Sequence, residues 1–223
     1  MRCIICFSPV LPSVDWTTFL TLQKPVKVCL QCSDKLSGIE EPGCPQCGRA
    51  DGAEVCYDCE RWERSEYAGV LTKNVAVFSY NEFAKELVAR WKYRGDFTLI
   101  EAFTEAAQKK YKNHFHSMEA DLAAIPLSKE RLWERGFNQS EALITQLGAS
   151  PLSFFKRKGS EKQSKKGRME RIGGENPFEL IGKPERPVIL VDDIYTTGMT
   201  VRHLGRLLCE AGCPEVYSFT LFR

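Results

Sequence analysis

The run Val188-Ile189-Leu190-Val191 ends in two acids, Asp192 and Asp193, and a short polar turn, Thr196-Thr197-Gly198-Met199-Thr200, follows. Four apolar residues in a row read as a buried strand. In an open α/β sheet, ligands bind beyond the carboxyl ends of the strands. A turn that enters a helix aims several backbone N–H groups at one point, at the positive end of the helix dipole. Phosphate is the usual guest there. Gly198 lets a ligand approach the backbone closely, and the hydroxyls of Thr196, Thr197 and Thr200 add donors. The two acids are acceptors suited to vicinal hydroxyls or to a hydrated magnesium ion. Acids beside an anion cradle fit a phosphorylated sugar better than a bare anion. Neither a Walker loop (G-x4-G-K-[ST]) nor a dinucleotide fingerprint (G-x-G-x2-G) is present.

Eight of the ten cysteines form four C-x2-C knuckles: Cys3/Cys6, Cys29/Cys32, Cys44/Cys47 and Cys56/Cys59. Each knuckle puts two sulfurs on one side of a tight turn, spaced for two corners of a zinc tetrahedron. Four knuckles make two zinc sites. The gaps of 22, 11 and 8 residues make sequential pairing simplest, Cys3, Cys6, Cys29 and Cys32 for one ion and Cys44, Cys47, Cys56 and Cys59 for the other. Spacing alone also admits crossed pairs. Disulfides would suit a secreted chain, yet the start lacks a signal peptide. A thioredoxin-type pair needs one knuckle beside a βαβ unit, and distant two-residue pairs fit zinc better than an iron–sulfur cluster. With four protein ligands no position is open for water, so both ions are expected to be structural. A module of this size with few large apolar side chains needs the ~10 kcal/mol that each metal supplies. Cys209 and Cys213 are expected to be buried structural thiols.

Two basic segments complete the candidates. Ile125-Pro126-Leu127-Ser128-Lys129-Glu130-Arg131 leads to Glu134-Arg135-Gly136-Phe137-Asn138-Gln139. Lys156 to Arg171 carries eight basic residues against two acids, a balance of +6, and Gly173-Gly174 follows. Its composition is that of a mobile loop.

The Val188–Thr200 segment closely resembles the phosphoribosyl pyrophosphate (PRPP) motif of type I phosphoribosyltransferases. The resemblance implies that Asp192 and Asp193 hold the ribose hydroxyls, as catalytic residues. It implies that Thr196, Thr197, Gly198, Met199 and Thr200 surround the 5′-phosphate, with Mg2+ bound alongside PRPP. The Pro126–Gln139 segment resembles the P-L-S-x3-R-x3-R-G-F-N-Q signature of the ComF/ComFC-like late competence proteins, with Arg131 one place early. That implies a pyrophosphate-binding loop at Lys129, Arg131 and Arg135. The family's Q-x7-R-x2-N pattern is met by Gln163 and Arg171, with Gly174 at the Asn position. Gln163, Lys165, Lys166 and Arg171 would then lie on the flexible loop that closes over PRPP. The double zinc ribbon, this signature and the PRPP motif stand in the family's order and cover nearly the whole chain. The resemblance implies a role in natural transformation, in handling incoming single-stranded DNA. Other competence proteins, such as a DNA-uptake helicase and processing factors, would be partners, and the location peripheral at the inner face of the uptake machinery.

Positioning these residues requires alternating strands and helices. Strands are expected at Val75–Tyr80, Leu122–Ile125, Val188–Val191 and Val216–Phe222, with a weak one at Leu152–Phe155. Asn81 should cap a helix that stops at Gly95, and Asp96 another. Asn138 and Glu141 have capping-box spacing for a helix ending at Gly148. A last helix runs Thr200–Cys209. Continuous apolar strands describe an open parallel sheet with helices on both faces. The expected division is 1–60 double zinc ribbon, 61–74 connector and 75–223 phosphoribosyltransferase-like domain.

Composition narrows the function classes. The 223 residues are 43% hydrophobic and 27% charged, which excludes general disorder, and no apolar run approaches a membrane span. A cytoplasmic location is expected. Residues 1–60 carry 5 Lys+Arg against 8 Asp+Glu, and the rest 26 against 21. Eight zinc-bound thiolates with two ions turn the formal +2 into about −2. Net charge is therefore no argument for nucleic acid. With three histidines, His114, His116 and His203, a Ser/Cys-His-Asp hydrolase fits poorly. Two readings stay open. One is transfer of phosphoribose from PRPP, in DNA handling or in nucleotide salvage, although Thr196 stands where purine-type enzymes carry an acid. The other is a non-enzymatic factor in which the basic loop, Trp91, Tyr93, Arg94 and Phe137 follow a phosphate backbone and stack bases.

Overall fold

The computed structural model describes residues 1–10, 26–52, 54–158 and 176–223. The elements run α1 (Leu30–Lys35), α2 (Tyr57–Glu63), β1 (Lys73–Phe78), α3 (Glu82–Tyr93), a 3-10 turn (Phe97–Ala102), α4 (Thr104–Phe115), β2 (Asp121–Ala124), α5 (Lys129–Arg135), α6 (Gln139–Gln146), β3 (Phe155–Arg157), β4 (Phe178–Leu180), β5 (Val188–Ile194), α7 (Met199–Glu210) and β6 (Val216–Phe222). The central sheet is parallel throughout, in the order β1-β6-β5-β2. Val188 through Val191 are completely buried and all seven residues of β6 are buried, as strands covered on both faces must be. One face packs against α3, the 3-10 turn, α4 and α6, around Trp91, Phe103, Phe115 and Phe219. The other packs against α7 and the hairpin residues Phe154, Phe155 and Phe178. Among the described residues, no helix is long and apolar enough to cross a membrane.

Local signals mostly became local structure. The Asn81 side chain accepts from Ala84 N at 2.8 Å and caps α3. Asp96 does not cap a helix. Arg90 engages its carboxylate at 2.7 Å, and the chain passes through the 3-10 turn before α4 begins. Asn138 caps α6 by accepting from Ser140 N at 2.9 Å, while Glu141 meets the Asn138 side chain rather than its N–H. The weak strand at Leu152–Phe155 is displaced. Leu152 makes a single parallel bridge to Ala123, and the strand proper, β3, pairs antiparallel with β4 in a separate two-stranded sheet. The hairpin hydrogen bonds near Lys158 and Pro177 draw the chain away from the central sheet.

The cysteine segments dock on opposite faces of the sheet. Cys3, Ile5 and Cys32 join the core on the α3/α4 face, and Cys44, Cys47 and Cys59 join the core on the α7 face. Arg90 donates to the carbonyls of Ile5 and Ile4 at 2.6 and 2.7 Å. Buried Asn74 donates to Cys47 O at 3.0 Å and accepts from Ser218 at 2.8 Å, joining the third knuckle to β1 and β6. Cys213 is buried as expected, but Cys209 is exposed, since it lies on the outer side of α7.

Candidate functional site

The structure brings the cysteines together in sequential pairs: Cys3, Cys6, Cys29 and Cys32 form one group, and Cys44, Cys47, Cys56 and Cys59 the other, each with its sulfurs within 4.8 Å of one another. Sulfur–sulfur distances are 3.6 Å (Cys6–Cys29), 3.8 Å (Cys44–Cys59) and 3.7 Å (Cys47–Cys56). These are far too long for a disulfide. They match the ~3.8 Å edge of a tetrahedron whose metal–sulfur bonds are ~2.3 Å. Backbone N–H groups of Cys29 and Cys56 donate to Cys3 Sγ and Cys44 Sγ, each at 3.4 Å, as knuckle turns do. Hydrogen bonds from the Ser8 hydroxyl, and then from its backbone, hold the Cys6 thiol down at about 6. The Cys59 thiol, and then Arg223, hold Cys47 at about 4. Burial pushes the Cys32 thiol up, and the hydrogen bond with Cys47 pushes the Cys59 thiol up. The sulfur geometry carries the reading that both groups could hold structural zinc.

The acids and the turn meet at the carboxyl end of β5. Ile194 ends the strand, and Gly198, in a left-handed conformation (φ 77°), is the residue from which α7 starts. A methyl group on Gly198 would overlap Tyr195 Oη and Arg202 Nη1. Thr197 Oγ1 accepts from Met199 N at 3.4 Å. The N–H groups of Thr196, Thr197, Gly198 and Thr200 make no backbone hydrogen bond among the described residues. A small depression of about 20 Å³ beside them is lined by Asp192, Ile194, Tyr195, Thr196, Gly198, Met199, Thr200 and Val201, while Thr197 and Asp193 do not line it. Asp192 Oδ1 accepts from Asp193 N at 2.9 Å. Burial, then the neighbouring Asp193 charge, pushes the Asp192 carboxyl well above the usual carboxylate range. Such a site offers N–H donors to an anion and carboxyl acceptors to hydroxyls, one strand-end apart.

The remaining candidates are placed differently. Lys129, Arg131 and Arg135 lie on the helix α5, not on an open loop, because Ser128 caps it by accepting from Arg131 N at 3.3 Å. None of the three lines the depression at the turn. Arg135 donates to Gln139 at 2.9 Å and lies over the Tyr93 ring. Lys129 lines a separate groove with Leu132, Trp133 and Gly136. The loop residues Gln163, Lys165, Lys166 and Arg171 lie outside the described residues. Of the aromatics considered for base stacking, Trp91 is fully buried in the core and Phe137 packs edge-on against Phe97, while Tyr93 is 71% exposed.

Several residues at the turn and at the α5 groove are not found from sequence. Lys92 of α3 forms an ion pair with Asp193, whose side chain is only 9% exposed. Trp62 Nε1 donates to Thr197 O at 2.9 Å, and Arg223 Nη1 to Thr196 O at 3.2 Å. Trp133 is 90% exposed. Only Trp133 left a local signal: no apolar residue stands three or four places from it inside α5, so the helix has no apolar stripe to bury it.

No family model matches the chain. Individual relatives do. The competence protein ComFC of Bacillus subtilis (strain 168) is 38% identical over 99% of this chain and 94% of its own length. The competence protein ComFC of Streptococcus pneumoniae is 33% identical over the full length of both. The DNA utilization protein YhgH of Escherichia coli O157:H7 is 31% identical over 46% of this chain and 48% of its own. Identity at this level over whole chains, together with paired cysteine groups and an open parallel sheet, makes this chain a member of the ComFC family of competence proteins.

Proposed function

We propose that the chain binds PRPP with Mg2+ at the end of β5 and acts in natural transformation, in handling incoming single-stranded DNA. The observation that carries the binding half is the set of N–H groups at Thr196–Thr200 without backbone partners among the described residues, just after Asp192 and Asp193 in the chain. In this reading the turn holds the 5′-phosphate and the two acids receive the ribose hydroxyls. Lys129, Arg131 and Arg135, with the Gln163–Arg171 loop, would meet the pyrophosphate. Mg2+ would neutralise charge on that pyrophosphate, and the chain's own contribution is position and electrostatics. The DNA half is supported by the relatives' names, two competence proteins and one DNA utilization protein. Calorimetric titration with PRPP, ribose 5-phosphate and phosphate, each with Mg2+, tests the binding half. No heat from zinc-loaded protein at millimolar PRPP would overturn it.

A second reading, a non-enzymatic DNA-binding scaffold, is favoured by one observation: Trp133 is almost wholly exposed in a groove beside Lys129. An exposed indole beside basic groups is a stacking platform for single-stranded nucleic acid. PRPP-dependent release of pyrophosphate with a base or single-stranded DNA supports transfer. Salt-sensitive DNA binding that Trp133→Ala abolishes and Asp193→Asn leaves intact supports the scaffold.

A further inference from the structure

The phosphate turn is held from behind, and its holders belong to the second cysteine group. Trp62, which donates to Thr197 O, lies on α2 three residues beyond Cys59. Arg223, which donates to Thr196 O through Nη1, donates through Nη2 to Cys47 Sγ at 3.2 Å and lies over the Tyr195 ring. Arg202, in the first turn of α7, lies 4.6 Å from the centre of the Trp62 ring and donates to Tyr195 Oη at 2.5 Å. One cluster of side chains therefore joins two cysteines' surroundings to two successive peptide units of the turn.

Peptide geometry gives this arrangement a consequence. A trans peptide is planar, and its N–H points opposite to its C=O. A donor fixing Thr196 O thereby aims the Thr197 N–H the other way, and a donor fixing Thr197 O aims the Gly198 N–H. Neither of these N–H groups has a backbone partner among the described residues. We infer that the second cysteine group, holding its metal, orients the turn's N–H groups for an anion, with Trp62 and Arg223 as the positioning residues. A small module of this kind keeps its shape only with its metal. Losing that metal would free α2 and Cys47, and with them both donors. Among the described residues the first cysteine group makes no such contact: its ties run to Arg90 on the opposite face.

The inference rests on the reading of the turn as the 5′-phosphate site, and the test separates the two. Four proteins are compared: zinc-loaded wild type, Cys56→Ser, Cys29→Ser and Trp62→Phe. The last keeps all eight knuckle cysteines and a ring against Arg202, and removes only the donor. Zinc content is measured for each, with 15N order parameters for Thr197 and Gly198 and titration with inorganic phosphate and PRPP. Cys56→Ser and Trp62→Phe are expected to drop those order parameters from ~0.85 to below ~0.6. They should weaken both anions about fivefold or more, the worth of a lost hydrogen bond. Cys29→Ser should leave both readouts unchanged. Unchanged order parameters in Trp62→Phe and Cys56→Ser would overturn the coupling, and an equal loss in Cys29→Ser would overturn its assignment to the second group. If wild type binds neither anion while the order parameters respond as expected, the phosphate reading fails and the coupling stands.

Discussion

The Lys92–Asp193 pair gives the sharpest test of the charge balance at the end of β5. The two side chains are 14% and 9% exposed, so the pair is nearly removed from water. Breaking a buried pair from one side leaves an uncompensated charge and costs about 3–5 kcal/mol, whereas removing both partners costs far less. Residual exposure puts Lys92→Met near the lower bound, at about 3 kcal/mol, or a fall of about 6–12 °C in Tm for a chain of this size. Asp193→Asn strands the lysine instead and should also destabilise. The double variant should be more stable than the sum of the singles predicts, by about 1.5 kcal/mol or more. Urea unfolding of all four proteins at saturating zinc measures this. Singles that add to within about 0.5 kcal/mol would refute the coupling. The same cycle bears on function, because a ligand that takes hydroxyl bonds from Asp193 must share or displace Lys92.

Zinc analysis should find two ions per chain, and Cys44→Ser should leave one; about one in well-folded wild type would refute the two-site geometry. Gly198→Val should block an anion from approaching the backbone of the turn. The structure adds a stability cost of about 2–4 kcal/mol, from overlap with Tyr195 and Arg202 and from the left-handed backbone, and denaturation together with phosphate titration should report both losses. Asp193→Asn should weaken PRPP about 10- to 150-fold more than inorganic phosphate, since only PRPP offers hydroxyls, and calorimetry with equal losses for both ligands would refute that role. Asp192 carries a raised carboxyl, so its contribution to stability is full below the unfolded value of about 3.9 and is lost as pH rises through the folded one. Asp192→Asn should therefore gain on wild type as pH rises from 4 towards 8 in urea unfolding, and parallel profiles would refute the assignment.

What could be read from sequence was what short segments determine alone. The C-x2-C spacing brings sulfurs together within one turn, and the short, β-branched apolar run before Asp192 reads as a buried strand. Asn81 caps α3 because the cap and its partner N–H are three residues apart. Failures came where a distant group competed. Asp96 carries a capping side chain, but Arg90 on the preceding helix takes its carboxylate. Trp91 and Tyr93 differ by two positions, and α3 turns one into the core and the other to solvent. Lys92 and Asp193 stand a hundred residues apart, and Arg223 reaches Cys47 across 176 positions. No local pattern encodes such pairs, because register and packing bring them together only after the sheet has formed.

The two cysteine groups, each built from two C-x2-C knuckles, do unlike work. The first supplies Cys3, Ile5 and Cys32 to the core around Trp91 and Phe103, and its carbonyls satisfy Arg90. Its loss would be felt as lost burial. The second is tied through Asn74 to β1 and β6, the strands at one side of β5, and through Trp62 and Arg223 to the turn beyond β5. Its loss would be felt where an anion binds. Arg223 makes the asymmetry explicit. It follows the last strand directly, its backbone N–H donates to Phe78 O at 2.9 Å, and its guanidinium spans Thr196 O and Cys47 Sγ. Replacing it with Lys would keep the charge but not the fork, since one ammonium cannot hold both partners in the geometry of a planar guanidinium.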